Sequence, residues 1–209
     1  MSRARGAALL VLALLALGWA WARARPPTAA SARPVWAGEE AFRVQPREAA
    51  PAAAAAALAD LNALALGLLR HLRRRAGALS PAEAAAAGSL RRRYDPAGLA
   101  ENSPRGPAGE TAYAQGARVA LCLRDRRSRA LHPAPLLRFV FLHELAHLAS
   151  EAPDHGPRFW EAFRWLLEEA ERAGLYRSPD WARVPGVVYC GVPVAYNPRF
   201  DAEVGPLGP

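Results

Sequence analysis

The chain has 209 residues, which is room for one domain of ordinary size and an appendage. Because 52% of the residues are hydrophobic and 22% are charged, the chain can form a packed core, and a wholly disordered chain is excluded. The formal charge of +8 is uneven: residues 1–130 hold 20 Arg and 9 acids, whereas residues 131–209 hold 7 Arg and 10 acids. Four of the five histidines lie in the acidic part, so the overall charge gives little support to a nucleic-acid partner.

Residues 1–25 have the pattern of a membrane anchor or a signal segment. Arg3 and Arg5 precede an uninterrupted apolar stretch over residues 7–22, whose length lies between that of a spanning helix and that of a signal-peptide core. Trp19 and Trp21 at its trailing edge are typical of a membrane interface. We therefore predict an uncleaved, single-pass N-terminal anchor, with secretion after signal cleavage as the alternative.

The next elements follow from composition and periodicity. Residues 26–46 are rich in Pro, Ala, Ser and Arg without periodicity, and are predicted to be a linker. Leucines spaced by three and four predict a helix over about 47–76. The Ser-Pro-Ala-Glu sequence at 80–83 is a capping box with Pro at the first helical position, so a second helix begins there. Alternating apolar residues predict a strand over 118–124.

A helix predicted over residues 136–148 carries the most informative motif, His143-Glu144-x-x-His147. Helix positions four apart lie about 40° apart around the axis and one turn along it, so both imidazoles can face one ion. Glu144 is then placed beside the open side of the ion and does not ligate it. The motif is a signature of zinc metallopeptidases, in which a carboxylate takes a proton from metal-bound water.

A third histidine, His155, follows the motif in an Asp-His-Gly-Pro turn that precedes a helix predicted over 158–173. The chain doubles back at this turn, so His155 can complete a site with three protein ligands and one open position. The surroundings of the motif are strongly apolar, and burying grouped polar side chains there is costly unless a metal or hydrogen bonds engage them. The sequence thus predicts Zn²⁺ bound by three histidines, with Glu144 as the general base; the ligands are His143, His147 and His155. His71 and His132 are predicted to be structural or surface groups.

Together these residues resemble a known group of peptidases, the WLM-like and SprT-like minimal zincins, and within it a membrane-anchored branch. The resemblance covers roughly residues 90–200. It rests on the two histidine motifs with the Gly-Pro-x-Phe-Trp that follows His155, on Leu-Cys-Leu-Arg at 121–124, and on Tyr-Cys-Gly at 189–191. It implies the same three zinc ligands and the same base.

We accordingly expect an α+β, zincin-like metallopeptidase domain, mostly helical with a small edge sheet, over residues 47–178. Residues 179–209 are expected to be a covering C-terminal segment. Within that segment Tyr189 or Tyr196 could polarise a scissile carbonyl, but a packing role is favoured because amphipathic aromatics usually pack.

The function predicted from the sequence is that of a zinc-dependent metallopeptidase, a hydrolase that acts on a peptide or protein substrate and contacts the membrane through residues 7–22. One alternative is a protease of DNA–protein crosslinks, as the resemblance suggests; the membrane segment and the acidic catalytic half count against it. Another is a non-catalytic, zinc-stabilised interaction domain tethered to the membrane. The presence of Glu144 counts against this alternative, because zinc alone requires no base there.

The chain has two cysteines, Cys122 and Cys190. They permit one disulfide if the domain lies in a secretory compartment, and two buried thiols if it lies in the cytosol. Since the topology is open, the sequence does not decide whether the two cysteines form a disulfide, and thiols are only slightly favoured.

Overall fold

The computed structural model describes residues 32–103, 112–152 and 154–208. The predicted anchor, residues 1–25, lies outside the described residues. The described chain contains four α-helices: α1 (Pro51–Arg74), α2 (Pro81–Arg93), α3 (Ala134–Ser150) and α4 (Pro157–Arg172). It also contains seven strands: β1 (Arg33–Ala37), β2 (Glu40–Val44), β3 (Leu99–Glu101), β4 (Ala112–Gln115), β5 (Arg118–Leu121), β6 (Val188–Tyr189) and β7 (Val192–Pro193). The predicted mixture of helices and strands in an α+β fold is confirmed.

Five strands form one mixed sheet in the order β1-β2-β3-β5-β4. The central pairs β2–β3 and β3–β5 are parallel, whereas β1–β2 and β4–β5 are antiparallel. β6 and β7 form a separate antiparallel hairpin. This order places β4 at an edge of the sheet, next to the helix that carries the histidine motif.

The four predicted helices are formed: α2 begins where its capping box predicts, and the other three begin and end within a few residues of their predicted limits. At the start of α2 the capping box is formed, because Ser80 Oγ accepts from the Glu83 amide (3.2 Å) and the Glu83 carboxylate accepts from the Ser80 amide (2.7 Å). Gly174, with a φ of +68°, follows α4, as expected for a residue that ends a helix. These signals are local in sequence, which is why they locate the helices well.

Of the helices in the described part of the chain, α1 alone is long and apolar enough to span a membrane. In the fold, its leucines are buried against the first three strands and helix α3. The His71 imidazole, near the end of α1, lies 2.8 Å from the Glu169 carboxylate of α4. Core helices of folded domains have the same length and composition, and the packing of α1 is that of a core helix.

The predicted linker over residues 26–46 is wrong for residues 33–44, which form the β1–β2 hairpin. Phe42 and Val44 point into the core with 3% and 0% of their surface exposed, and Arg43 pairs with Ala100 of β3. Apolar and polar residues alternate in β2, so one face of the strand packs on the core although the surrounding composition is rich in Pro and Arg. The domain therefore begins before residue 47.

The C-terminal segment packs back onto the domain, with Trp181 and Tyr189 buried. Cys122, just after β5, and Cys190, just after β6, are joined in a disulfide, with their Cα atoms 6.3 Å apart. The slight preference for thiols is therefore wrong, and the pairing that the sequence left open is a disulfide. The physical reason is proximity, because the fold brings the two cysteines within the usual range for a disulfide.

Candidate active site

The three predicted ligands come together at one end of α3. His143 and His147 lie one helical turn apart on α3, and His155 lies in the turn before α4. The Nε2 atoms of His143 and His155 are 3.1 Å apart, and one nitrogen of each of the three rings lies within 4.8 Å of the other two. The sequence prediction thus places the right side chains together, and their role as ligands stays a prediction.

The turn between α3 and α4 begins at Glu151, whose side chain is bonded to helix α2. α3 ends at Ser150, and Glu151 takes a left-handed conformation with a φ of +56°. The Glu151 carboxylate accepts from Ser89 Oγ (2.6 Å) and from the Arg93 guanidinium (2.9 Å), both on α2. These bonds tie Glu151 to α2 and anchor the start of the turn that leads to His155.

The orientation of His147 is set by the same turn. Its Nδ1 lies 2.9 Å from the carbonyl oxygen of Ala152, and this bond requires the proton on Nδ1. The lone pair of Nε2 is then free to bind a metal. A backbone carbonyl that fixes the tautomer of a histidine ligand in this way is a common support of metal sites.

Phe159 forms an apolar floor beneath all three imidazoles. It is fully buried, and its ring centroid lies 4.3 Å from that of His147, 4.6 Å from that of His155 and 4.8 Å from that of His143. Phe163, one turn further along α4, packs against His143 at 5.3 Å. α4 therefore restricts the three rings to one arrangement before any ligand arrives.

Burial keeps the imidazoles of His143 and His147 neutral. It lowers the pKa of His143 to about 3, with His147 and His155 adding a smaller effect of the same sign. Burial also lowers the pKa of His147, although the Ala152 carbonyl opposes it. Neutral imidazole is the form that binds metal, so these two side chains need lose no proton to a metal at neutral pH.

Glu144 is the buried carboxyl group of the site, with 4% of its surface exposed. Burial raises its pKa to about 8, because the charged form has lost its hydration. Without a bound cation, the Glu144 carboxyl group is therefore mostly protonated at pH 7. A divalent cation held by the imidazoles would favour the carboxylate form.

The donor set fits zinc. Nitrogen ligands at 2.0–2.1 Å in a tetrahedral site lie about 3.4 Å apart, close to the 3.1 Å between His143 and His155. Three imidazole ligands with one open position are the protein donors of many catalytic zinc sites. A second group of donors, Cys122, His132 and Cys190, is also close together, but its two sulfurs are joined to each other in the disulfide.

The histidines open into a cleft of about 790 Å³. Edge strand β4 forms one side of the cleft, and residues 192–196 of the C-terminal segment form another. Phe139, Val140 and Trp160 add apolar surface beside the histidines. The cleft is therefore a mostly apolar groove with the polar groups of the site at its floor, an arrangement typical of ligand and substrate sites.

Both tyrosines weighed from the sequence line the cleft. Tyr189 is buried, and this burial, with the nearby charge of Glu144 as a smaller cause, raises its pKa well above the usual range. Tyr196 packs edge-on against Trp160 at 5.1 Å and donates from its hydroxyl to Asp201 (2.7 Å). Both phenols are neutral at pH 7, and their packing contacts agree with the role favoured from the sequence.

His71 and His132 are both buried away from the three candidate ligands, which agrees with the predicted structural role. Three features in or near the site were missed from the sequence: the Ala152 carbonyl, strand β4, and the disulfide between Cys122 and Cys190. The Tyr-x-Gln sequence at 113–115 contains one hint of a strand, the alternation of larger and smaller side chains. The carbonyl leaves no trace in the sequence.

Comparison with known proteins gives one similarity. The chain is 35% identical over 94 residues to the uncharacterized protein R325 of Acanthamoeba polyphaga mimivirus. The match covers 45% of this chain and 47% of the viral protein, so the chain spans about half the length of that relative. No family model and no solved structure matches the chain. The WLM-like and SprT-like resemblance accordingly stays a prediction.

Proposed function

We propose that the protein is a zinc-dependent peptidase. The observation that carries the proposal is the convergence of three imidazoles and one buried carboxyl group, Glu144, at the floor of a cleft. The pKa values of His143 and His147 are lowered, so these rings are neutral donors. An interaction domain held together by zinc would need the ligands but would gain nothing from a buried, unsolvated carboxyl group next to them.

The shape of the cleft supports a peptide as the substrate. β4 is an edge strand, paired with β5 on one side, and its residues 112–115 line the cleft. An extended peptide can add to such an edge through backbone hydrogen bonds while its alternate side chains enter pockets. The apolar lining formed by Phe139, Trp160 and Val192 favours peptides with large apolar side chains near the scissile bond.

His143, His147 and His155 would hold the zinc, which supplies a Lewis acid that polarises the scissile carbonyl and lowers the pKa of water. Glu144 would accept a proton from the attacking water as the C–O bond forms. It would then return that proton to the amide nitrogen as the C–N bond breaks, so that the carboxylate is regenerated.

Two variants test the assignment of these roles. Glu144→Gln keeps the three imidazoles and the side-chain size, so zinc content should stay near one per chain while cleavage of a broad peptide library falls by about 10²–10⁴-fold. His155→Ala removes a ligand, so zinc affinity and cleavage should fall together. Glu203→Gln, on the exposed surface, is the matched control and should change neither.

Other outcomes would point elsewhere. If Glu144→Gln cleaved peptides at the parental rate, the proposed chemistry would be wrong. If the parent cleaved nothing yet bound zinc, the interaction-domain alternative would replace the peptidase. If it cleaved only proteins crosslinked to DNA, the crosslink-protease alternative would replace general peptide cleavage.

The location that goes with this function is a membrane surface, with the domain tethered by a single N-terminal span over residues 7–22. The support for it is the sequence: an uninterrupted apolar stretch bounded by arginines, with tryptophans at its trailing edge. Secretion after signal cleavage stays the alternative. A disulfide in the domain would suit the non-cytosolic side of the membrane in either case.

A further inference from the structure

The β6–β7 hairpin has an unusual turn. Its two strands, Val188–Tyr189 and Val192–Pro193, are joined by the two residues Cys190 and Gly191, whose φ angles are +48° and +88°. Two-residue turns with positive φ at both positions favour Asn, Asp or Gly at the first position. The Cys190 side chain disfavours this conformation, and strands of only two residues add little stability to the hairpin. The hairpin is therefore held by contacts outside itself.

Those contacts converge on Cys190. Its sulfur is bonded to Cys122, directly after β5, and its backbone amide donates to His132 Nε2 at 3.3 Å. The His132 ring also packs on Tyr189 with ring centroids 5.2 Å apart. His132 is itself fixed, because its amide donates to the carbonyl of Leu123 at 2.8 Å. The disulfide and His132 together tie the hairpin to the end of strand β5.

The hairpin carries one wall of the cleft but none of the candidate zinc ligands. Residues 192–196 line the cleft and Tyr189 lies near Glu144, whereas His143, His147 and His155 lie on α3 and the turn that follows it. Val192 is still 41% exposed, so the wall presents apolar surface to a bound peptide. Loss of the tie would thus affect the wall and leave the histidines in place.

We propose that the Cys122–Cys190 disulfide is a latch that holds this cleft wall, so that the protein binds peptides in its oxidised form and loses affinity for them when reduced. The proposal rests on the proposed peptidase function. Reduction needs a small thiol as co-reactant: its thiolate attacks one sulfur and breaks the S–S bond, and a second thiol resolves the mixed disulfide. Cys122 and Cys190 gain two electrons and two protons and become thiols, and the two small thiols are oxidised to a disulfide. Because both protein sulfurs are buried, this exchange requires the hairpin to open.

Hydrogen exchange measured by mass spectrometry on the full, zinc-loaded chain tests the latch without any activity. In Cys122→Ser, peptides that cover residues 187–196 should exchange at least tenfold faster than in the oxidised parent. Peptides that cover residues 143–150 should be unchanged, and zinc should stay at one per chain. Unchanged exchange over 187–196 would overturn the proposal, and so would a simultaneous loss of zinc, because the disulfide would then support the whole site.

Kinetics on a cleaved library peptide test the consequence for binding. Cys122→Ser, Cys190→Ser and the double variant should each raise KM about tenfold or more with kcat within about threefold, and the three values should agree, because each variant removes the same bond. Losses that add in the double variant would overturn the latch in favour of simple packing. Phe200→Ser, on the same segment but outside the cleft and 53% exposed, is the control and should leave KM unchanged. A parent that cleaves no peptide would refute the proposed function, while the exchange data would still decide the latch.

Discussion

The buried carboxyl group of Glu144 predicts an unusual pH dependence of stability in the zinc-free protein. Burial raises its pKa from 4.5 to about 8, so the folded chain binds this proton more tightly than the unfolded chain does. Between these two pH values the unfolded state has lost the proton and the folded state still holds it. Each unit rise in pH over this range therefore lowers the free energy of unfolding by about 1.4 kcal/mol.

Over the whole range, from pH 4.5 to about 8, the loss is on the order of 5 kcal/mol. The lowered pKa values of His143 and His147 act in the opposite direction, since they make stability rise with pH up to the ordinary histidine pKa. Their effect is common to the parent and to Glu144→Gln. The difference between the two proteins therefore isolates Glu144.

The measurement is urea unfolding of the parent and of Glu144→Gln, each stripped of metal by chelation, at half-unit steps from pH 5 to pH 9. The stability of the parent relative to the variant should fall steadily through this range and level off above about pH 8. Added zinc should remove the difference in slope, because a dication beside Glu144 favours its carboxylate. Parallel pH profiles for the two zinc-free proteins would refute the reasoning, since they would show that Glu144 is solvated in the folded state.

Two further predictions concern the floor of the site and the membrane segment. Phe159→Ala removes a fully buried ring from beneath the three histidines, so it should lower the free energy of unfolding in urea by about 3–5 kcal/mol. It should also weaken zinc binding in a competition titration. Trp36→Ala, at a side chain that is 70% exposed, is the control and should change stability by no more than about 0.5 kcal/mol. The full chain should stay in the membrane pellet after carbonate extraction at the mass of the uncleaved protein, and a soluble product that begins near residue 23 or 25 would show signal cleavage instead.

The histidine site was predictable because its determinants are close together in sequence. The spacing of His143 and His147 on a helix follows from 3.6 residues per turn, and the Gly-Pro pair after His155 marks the turn. The predicted limits of α3 and α4 needed only these local signals. The observed separation of 3.1 Å between His143 and His155 is the result of one turn between two packed helices.

The sheet and the cleft walls were not predictable in the same way. β3 has three residues and includes a buried Glu101, which forms an ion pair with Arg124 at 2.7 Å, so its sequence does not look like a strand. β2 was hidden in a segment whose composition favoured a linker, and its parallel neighbour β3 follows only after two helices. Pairings of this kind depend on the whole chain, and a single sequence contains no local signal for them.

The disulfide shows the same limit in another form. With two cysteines the pairing was never in doubt, and the open question was the redox state, which depends on the compartment. The fold brings Cys122 and Cys190 together because β6 packs on the end of β5, and this contact joins parts of the chain that are 68 residues apart. Neither the spacing of the cysteines nor the residues around them predict this contact.

Local sequence signals position the candidate ligands, whereas contacts between distant parts of the chain build the walls of the cleft. The candidate ligands and Glu144 belong to one continuous helix–turn–helix unit, whereas the cleft walls come from residues 112–116 and 192–196, which are distant from that unit in sequence. Under the proposed function, substitutions in the walls would therefore change which peptides fit without disturbing the histidines. This is the physical reason why the motif predicts a reaction but not a substrate. The same separation would allow the proposed latch at Cys190 to act on binding while the candidate zinc site stays intact.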